Sequence, residues 1–360
     1  MIEDLEELVR CESFSADLEA VARSAKVVAA QGSRLLGAEP EYIVIDGVTH
    51  LRWTFGTPRV LLVGHHDTVW PMGTLERHPW SLVDGVARGP GVFDMKAGLV
   101  QMFHALSGLG SLDGVSVLIT GDEEVGSISS TPLIQDSARG LAAAFVLEAS
   151  ADGGALKTER KGTSIYHLDV YGKAAHSGLE PWNGANAGVE LAHQILRIAG
   201  MAAEEGTPGV TVTPTVLSGG TTLNTVPAEA RVGVDVRVPT VRAQTRLDEL
   251  MHALTPHTAG TRLEVRGGPN RPPLEAASSA GLFELAQSIA ARLGQPPLLS
   301  ASVGGASDGN FTAGVGCPTL DGLGAVGGGA HADHEHVIVA EMPHRTALLR
   351  GLVEAVLATS

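Results

Sequence analysis

The sequence predicts an α/β protein with a mixed, mostly parallel sheet flanked by helices, and with a smaller α+β domain inserted into the chain. Three observations lead to this fold. Short apolar runs alternate with helical patterns up to Gly162, the hydrophobic period changes there, and a glycine- and proline-rich segment at 267–273 precedes renewed alternation. We therefore expect a discontinuous domain of residues 1–162 and 273–360 around an inserted domain at 163–272.

The first part of the chain opens with helical periodicity and continues with short strands. Residues 1–40 carry apolar side chains at helical spacing, as at Leu5, Leu8 and Val9, so one or two helices are expected. Strands are expected at 59–64, 115–120 and 144–147, and helices at 95–109 and 130–138. Strands that alternate with helices form a mostly parallel sheet with both faces covered.

The inserted segment follows a different order. Its strands are expected at 164–172, 210–217, 230–238 and 263–266, and its helices at 185–198 and 241–254. The order strand, helix, strand, strand, helix, strand is the split βαβ order of a ferredoxin-like α+β domain. Residues 267–273 are interpreted as the linker back to the first domain, and residues 275–360 resume the alternation of helix and strand.

Composition and charge exclude several classes of partner. The 360 residues contain 25 Lys and Arg against 40 Asp and Glu, a formal net charge of −15. Nucleic acids and anionic membrane surfaces are bound by clustered cations, so neither is an expected partner. No apolar run reaches the roughly 18 residues of a membrane-spanning helix, and the acidic N-terminal segment is unlike a signal peptide. Cys11 and Cys317 form no disulfide framework, so a cytoplasmic location is expected.

Side chains that commonly bind metals follow the predicted strands at their carboxyl ends. They are His65-His66-Asp67, Asp94 in the next loop, Asp122-Glu123-Glu124, Glu148, and the segment from His331 to His336. In parallel sheets, ligands bind in the crevice outside those strand ends, and mixed nitrogen and oxygen donors suit zinc. Each motif alone is common in solvated turns or ion pairs, but the five together predict a metal centre. Within the last segment, His334 and His336 are alternatives to His331 as the ligand.

Several longer motifs resemble a known family. They are HHDTVWPMGT at 65–74, GPGVFDMKAG at 89–98, GDEEVGS at 121–127, GKAAHSG at 172–178, and the Arg-Pro of NRPP at 270–273. Over essentially its whole length, the chain resembles the co-catalytic zinc peptidases and deacylases: glutamate carboxypeptidase, acetylornithine deacetylase, succinyl-diaminopimelate desuccinylase and aminoacylase. The glutamate carboxypeptidase branch is the most similar.

The resemblance implies a centre of two Zn²⁺ ions, which Co²⁺ or Mn²⁺ can replace. His65 and Glu148 would complete the shell of one ion, Glu124 and His331 that of the other, and Asp94 would bridge both. Glu123 would act as general base on a water, and Asp67 would orient the first histidine. The peptide bond after Asp94 is expected to be cis.

The resemblance also implies that the inserted domain dimerises and closes as a lid over the centre. His176 would cross the dimer interface and hydrogen-bond the developing oxyanion in the partner's site. Asn224 would bind substrate, and Arg271 would hold the free α-carboxylate of the substrate with a bidentate guanidinium. Lys157 and Lys161 are candidates for meeting an acidic substrate side chain, without an assigned role.

The implied function is hydrolysis of the amide bond to an α-amino acid that has a free carboxylate. The enzyme would be a glutamate-carboxypeptidase-like exopeptidase or an N-acyl amino acid hydrolase, a homodimer that acts on a small N-acyl amino acid or a short peptide. A biosynthetic deacylase of the acetylornithine or succinyl-diaminopimelate type is the alternative within the family. A descendant of the fold that binds without catalysis is the non-enzymatic alternative, although every matched position is filled.

Two short motifs suggest other chemistry. Residues 305–309 match the Gly-x-Ser-x-Gly elbow of metal-free serine hydrolases, and Asp321 and His331 follow Ser307 in triad order. That alternative leaves the strand-end carboxylates unexplained, and too few residues follow Ser307 for the rest of such a fold. Residues 322–327 match Gly-x-Gly-x-x-Gly, but glycines and histidines follow instead of a helix, so a flexible loop that delivers His331 is expected.

Overall fold

The chain alternates helices and strands, and its contacts divide it into two units. The structure, a computed structural model, describes residues 1–359. Unit 1 comprises residues 1–160 and 274–359, and unit 2 comprises residues 161–273. Each unit has its own sheet and its own hydrophobic core. No helix of the described residues is long and apolar enough to cross a membrane.

The helices and strands have the following bounds. The first part of unit 1 contains helices α1 (Ile2–Arg10), α2 (Leu18–Leu36), α3 (Ala97–Ser107) and α4 (Thr131–Ala138). Its strands are β1 (Glu41–Ile45), β2 (Val48–Thr54), β3 (Val60–His65), β4 (Ser81–Val83), β5 (Val86–Arg88), β6 (Val115–Thr120), β7 (Ala143–Val146) and β8 (Leu156–Arg160). Unit 2 contains β9 (Gly162–Tyr171), α5 (Ala187–Ala199), α6 (Met201–Glu205), β10 (Thr211–Gly219), β11 (Glu229–Val238), α7 (Val241–His252) and β12 (Arg262–Arg271). The chain returns to unit 1 with α8 (Ala276–Arg292), β13 (Ser300–Val303), α9 (Asp308–Gly314), β14 (Thr319–Leu320), β15 (Gly327–Gly328), β16 (His336–Ile338) and α10 (Met342–Ala358).

The main sheet of unit 1 has the strand order β1-β2-β6-β3-β7-β14. The last four of these strands run parallel, whereas β1 and β2 form an antiparallel hairpin at one edge. Every residue of β3, β6 and β7 is buried, as expected for parallel strands covered on both faces. The predicted α/β class with a mixed, mostly parallel sheet is confirmed. Because β3 lies between β6 and β7, the carboxyl ends of these three strands meet.

Unit 2 is an antiparallel sheet with the strand order β10-β11-β9-β12. Alternate residues of β9, such as Tyr166, Leu168 and Val170, are buried together with apolar residues of α5 and α7. This period of two is the pattern of a sheet that packs helices on one face. The strands and helices follow the predicted ferredoxin-like order, with the short helix α6 added.

The interpretation of residues 267–273 as a linker was wrong, because β12 continues to Arg271. β12 is an edge strand beside β9, and an edge strand tolerates Pro269 since one of its sides needs no N–H donor. Gly267 has a φ of 97°, and a Cβ atom there would lie 2.1 Å from the carbonyl oxygen of Ile165. Glycine and proline therefore shape an irregular strand here instead of ending it.

A small sheet of unit 1, with the order β15-β16-β5-β4, was not predicted. In it, His336 of β16 pairs with Arg88 of β5. β5 leads into the loop that carries Asp94, and β16 follows the segment that carries His331. The pairing therefore brings two motifs together that lie far apart in the sequence.

Candidate metal centre

Three parallel strands deliver side chains to one edge of the main sheet. β3 ends at His65, β6 is followed by the turn at 121–124, and β7 is followed by Leu147 and Glu148. Since β3 is the middle strand, acidic segments flank the histidine on both sides.

Asp94 lies between two histidines. Its Oδ1 is 3.3 Å from Nε2 of His65, and its Oδ2 is 3.4 Å from Nε2 of His331. Nε2 of His65 is also 3.4 Å from Oε1 of Glu148, and Nε2 of His331 is 3.2 Å from Oε2 of Glu124. The five side chains thus form two sets, each with a histidine and a glutamate, that share one aspartate. The peptide bond after Asp94 is cis, as expected.

The donor atoms fit divalent cations. Nε2 of His65 and Oε1 of Glu124 are buried and have no hydrogen-bond partner among residues 1–359. Ligand atoms of His65, Asp94 and Glu124 lie within 4.8 Å of one another, and so do those of His65, Glu123 and Glu148. Buried carboxylates without compensating charge cost several kcal/mol, so cations here would stabilise the fold. Imidazole nitrogens with carboxylate oxygens suit Zn²⁺, Co²⁺ or Mn²⁺.

The same carboxylates also attract protons to the histidines. Hydrogen bonds with Asp94 and Glu124 raise the pKa of His331 to about 10. Burial disfavours protonation of His65, but its contacts with three carboxylates outweigh burial and raise its pKa well above the ordinary range. Burial raises the pKa of Glu124. Metal binding is therefore expected to release protons.

Asp67 holds both the first histidine and the acidic turn. Nδ1 of His65 is 3.0 Å from the backbone oxygen of Asp67, which favours the tautomer that leaves Nε2 free to bind a metal. The two carboxylate oxygens of Asp67 accept the backbone N–H groups of Glu123 and Glu124, each at 3.2 Å, and the hydroxyl of Ser15 donates to Oδ2 at 2.7 Å. Burial opposes ionisation of Asp67, yet the contacts with His65 and Ser15 outweigh it and lower the pKa.

Two further buried aspartates hold the acidic turn. Asp122 accepts hydrogen bonds from the backbone N–H and hydroxyl groups of Ser129 and Ser130. Asp308, at the start of α9, accepts one from the hydroxyl of Thr120 at 2.9 Å. Sequence reasoning missed both roles. The position of Asp122 inside the Asp-Glu-Glu motif was a signal, whereas Asp308 contacts the turn only through the tertiary fold.

Glu335 holds the loop that carries Asp94. Its Oε1 accepts the backbone N–H groups of Phe93 and Asp94 at 2.9 and 3.0 Å. Its Oε2 accepts the N–H of Gly91 at 2.9 Å and the indole N–H of Trp70 at 2.7 Å. Sequence reasoning placed this residue either at the surface or among the residues that support the metal ligands, and its signal was its place shortly after His331. A buried carboxylate with four donors fixes the loop against the small sheet.

Ser307 is a helix cap and not an exposed nucleophile. Its side chain is buried at 0% exposure, accepts the N–H of Gly309 and donates to Asp321 at 2.6 Å. Asp321 also pairs with Nε of Arg160 at 2.6 Å, and Nη2 of that arginine is 3.4 Å from Glu148. A serine-hydrolase triad requires a histidine at the serine, and here a carboxylate takes that place.

His331, and neither His334 nor His336, reaches the acidic cluster. His336 belongs to β16, and its Nδ1 is 2.9 Å from the backbone oxygen of His334. His331 follows the glycine-rich segment at 322–330, which contains the short strand β15, and the next element is the strand β16 and not a helix. Nε2 of His66 bonds to a backbone oxygen at 3.0 Å, and burial lowers the pKa of His66 to about 4, so it is a neutral core residue.

His176 and Asn224 lie together in unit 2. The N–H of Ser177 donates to the backbone oxygen of Asn224 at 2.9 Å. Nδ1 of the exposed His176 accepts the N–H groups of Gly178 and Leu179, both at 3.2 Å. In a neutral imidazole this arrangement places the proton on Nε2 and makes that nitrogen a hydrogen-bond donor.

Arg271 and the two candidate lysines occupy different settings. Arg271 ends β12 with 5% exposure, and its backbone oxygen accepts a hydrogen bond from Gln244 at 2.9 Å. Lys157 lies in β8 of unit 1, where burial and then the charge of Arg160 lower its pKa. Lys161 lies in unit 2.

The sequence is similar to known hydrolases. Residues 61–355 match the profile described as Peptidase family M20/M25/M40. Carboxypeptidase G2 from a Pseudomonas species is 28% identical over 372 residues, which cover 98% of this chain and 88% of that protein. Succinyl-diaminopimelate desuccinylase from Rhodospirillum centenum is 28% identical over 376 residues, which cover 97% of this chain and 95% of that protein.

Solved structures share the fold. Aminopeptidase PepT from Bacillus cereus has a TM-score of 0.76 and 21% identity, covering 99% of this chain and 97% of its own. The M20 family metallo-carboxypeptidase Sso-CP2 from Sulfolobus solfataricus has a TM-score of 0.72 and 16% identity, and the match covers 99% of this chain and 98% of that one. The YXEP protein of Bacillus subtilis, described as a dinuclear metal-binding peptidase, has a TM-score of 0.68 and 14% identity. The match covers 100% of this chain and 98% of that one.

Proposed function

The chain belongs to peptidase family M20/M25/M40 and is a metal-dependent amide hydrolase, and we propose that it releases an α-amino acid with a free carboxylate. The substrate is a short peptide or an N-acyl amino acid, as for a glutamate-carboxypeptidase-like exopeptidase. The similarity to carboxypeptidase G2 supports this substrate class.

One observation carries the proposal: the two oxygens of Asp94 lie 3.3 and 3.4 Å from Nε2 of His65 and of His331. A carboxylate between two histidines is suited to bridge two ions. We propose two Zn²⁺ per chain, with Co²⁺ or Mn²⁺ as substitutes. His65 and Glu148 would hold one ion, His331 and Glu124 would hold the other, and Asp94 would contact both.

The chain's own residues then divide the chemistry. When bound, two divalent ions would acidify a water and polarise the scissile carbonyl. Glu123 has a carboxylate oxygen within 4.8 Å of ligand atoms of His65 and Glu148, and it takes the proton of the attacking water. It then delivers a proton to the leaving amine. Its neighbour Glu124 faces His331, so adjacent carboxylates serve different roles.

Unit 2 supplies the proposed substrate contacts. The Nε2–H group of His176 stabilises the developing oxyanion, Arg271 holds the α-carboxylate, and Asn224 binds the substrate. We propose a homodimer through unit 2, in which His176 acts on the partner's site. Exposed apolar side chains on α5 and the edge strand β10 support it, since Leu196 and Val216 are each 74% exposed. A cytoplasmic location is proposed because both cysteines are free thiols.

A biosynthetic deacylase is the second candidate. It is favoured by the similarity to succinyl-diaminopimelate desuccinylase, which has the same 28% identity as carboxypeptidase G2. The two candidates differ in the group that the enzyme removes, so a substrate panel separates them.

The test combines metal analysis with that panel. Metal content is measured by plasma emission, and hydrolysis is measured on peptides with C-terminal glutamate, N-acyl amino acids, N-acetylornithine and N-succinyl-diaminopimelate. We expect about two metal ions per chain, loss of activity on chelation, and recovery with zinc. Hydrolysis by metal-free protein would contradict the metal mechanism. Turnover confined to the last two substrates would replace the exopeptidase proposal with the deacylase.

A further inference from the structure

A surface cavity lies in unit 1, beside the segments that support the metal centre. Its volume is about 200 Å³, which leaves room for several water molecules or a small ligand. Its wall includes Trp70, Arg77, Arg88 and residues 332, 333 and 335. Within residues 1–359, its lining contains none of the candidate metal ligands, so it is separate from the metal centre.

Two guanidinium groups line this cavity without an acidic partner. In the described part of the chain, neither Arg77 nor Arg88 forms an ion pair or a side-chain hydrogen bond. Both side chains are exposed to solvent, so a ligand can reach them. Arginine binds carboxylates with two parallel N–H···O bonds, so an anionic ligand would satisfy both groups.

The carboxylates in the cavity wall already have partners. Oδ1 of Asp333 is 3.1 Å from Nε2 of His78, and the Asp333 side chain is 81% exposed. Both oxygens of Glu335 accept N–H groups from Trp70 and from the loop at 91–94. Neither carboxylate is bonded to Arg77 or Arg88, so both guanidinium groups keep their N–H donors for a ligand.

The rest of the wall is carbon-rich. The rings of Trp70 and His78 lie 6.0 Å apart at an interplanar angle of 55°, and Pro79 and Pro90 also line the cavity. Such a wall suits a short hydrocarbon segment between two charged ends. We propose that this cavity binds a small dicarboxylate, with one carboxylate on Arg77 and the other on Arg88.

This site goes beyond the proposed function, because its ligand is not the hydrolysed substrate. Trp70 donates to Glu335, which holds the loop of Asp94, and residues 332 and 333 directly follow His331. A dicarboxylate bound here would therefore contact residues that hold the loop of Asp94 and the segment after His331.

Calorimetric titration of the metal-loaded protein with succinate, at constant ionic strength, tests the proposal. We expect one succinate per chain in this cavity, and about tenfold or greater loss of affinity in Arg77→Gln and in Arg88→Gln. Arg292→Gln is the matched control, because it removes the same charge at an exposed position on α8 that lies outside the cavity. It should bind succinate like the unmodified protein.

Three outcomes would overturn the proposal. The first is succinate binding of unchanged affinity in the Arg77→Gln/Arg88→Gln double variant, which would place the ligand at the metal centre or elsewhere. The second is acetate binding as tightly as succinate, which would contradict the use of both arginines by one ligand. The third is sulfate binding more tightly than succinate, which would identify a compact inorganic anion instead. Hydrolysis is not measured, so failure here leaves the proposed function unaffected.

Discussion

The carboxylate of Asp67 accepts a hydrogen bond from the backbone N–H of Glu123 at 3.2 Å. The same residue bonds to Nδ1 of His65 through its backbone oxygen, at 3.0 Å. One buried residue therefore positions a proposed metal ligand and the proposed base together. The two hydrogen bonds of Asp67, together with the turn at 121–124, therefore set the distance between Glu123 and the metal centre.

Asp67→Asn should weaken metal binding and slow turnover together. An amide has one acceptor oxygen, so one of the two backbone N–H groups of the acidic turn would face an NH₂ group instead. We expect about 10- to 100-fold weaker metal affinity, measured by competition with a chromophoric chelator. Asp136→Asn is the control, since Asp136 is 79% exposed on α4. Unchanged affinity in Asp67→Asn would contradict the positioning role.

Glu123→Gln should lose turnover and keep metal. An amide cannot take a proton from water, and general base catalysis typically contributes about 10²- to 10⁴-fold. We expect a kcat loss of that size with unchanged metal content by plasma emission. Glu284→Gln, at an exposed position on α8, is the control. Near-normal kcat in Glu123→Gln would exclude it as the base.

Asp94→Ala should lose metal. Its two oxygens face both histidines, so the substitution removes a donor from each set. We expect at least one of the two proposed ions to be absent after dialysis, and circular dichroism should show an intact fold. Two fully retained ions would contradict the bridging role.

His176→Ala and Glu123→Gln should complement each other in mixed dimers. If His176 acts on the partner's site, a mixed dimer has one site with an intact base and an intact histidine from the other subunit. Mixing the two inactive variants under conditions of subunit exchange should then restore activity. If the histidine acts on its own site, both sites of the mixed dimer stay defective. A fully active monomer would also contradict the proposed action of His176 on the partner's site.

Glu190→Gln should destabilise the fold in a pH-dependent way. Burial opposes ionisation of Glu190, but hydrogen bonds from Gln194 and from the backbone N–H groups of His257 and Thr258 outweigh burial and lower its pKa to about 2. The unfolded value is about 4.3. The carboxylate therefore stabilises the fold fully above that pH, and this contribution is lost as the pH falls towards 2.

We expect Glu190→Gln to lower the free energy of unfolding at pH 7 by on the order of 2 kcal/mol. The difference from the unmodified protein should shrink at pH 3. Urea denaturation at both pH values measures it, with the exposed Glu229→Gln as the control. A difference of equal size at pH 7 and pH 3 would rule out the ionised carboxylate as its source.

The main sheet and the ligand-bearing strand ends could be predicted because both follow from local patterns. Buried parallel strands are continuous apolar runs, and their ends are marked by the polar residues that follow, such as His65 and Glu148. The structure brings these residues together with Asp94, Glu124 and His331. Their roles as ligands remain a prediction until metal is measured.

Other features depend on contacts between distant segments. Glu335 and Asp308 act through hydrogen bonds to residues more than 180 positions away in the sequence, which no local spacing encodes. The strand β12 can contain Pro269 because it is an edge strand, which forms hydrogen bonds with a neighbouring strand on one side only. The hairpin of β1 and β2 had a signal that was overlooked. Its turn is Asp46-Gly47, with φ angles of 51° and 84°, a pair typical of two-residue hairpins.

The division of the chain into two units has a consequence for how such enzymes diversify. All five proposed metal ligands and the proposed base lie in unit 1, whereas the three proposed substrate contacts lie between residues 161 and 273. The proposed substrate contacts are thus encoded by one contiguous stretch of the gene, and the proposed metal chemistry by the two stretches that flank it. Recombination that exchanges the insert with that of a relative should transfer substrate preference while the metal chemistry is inherited intact.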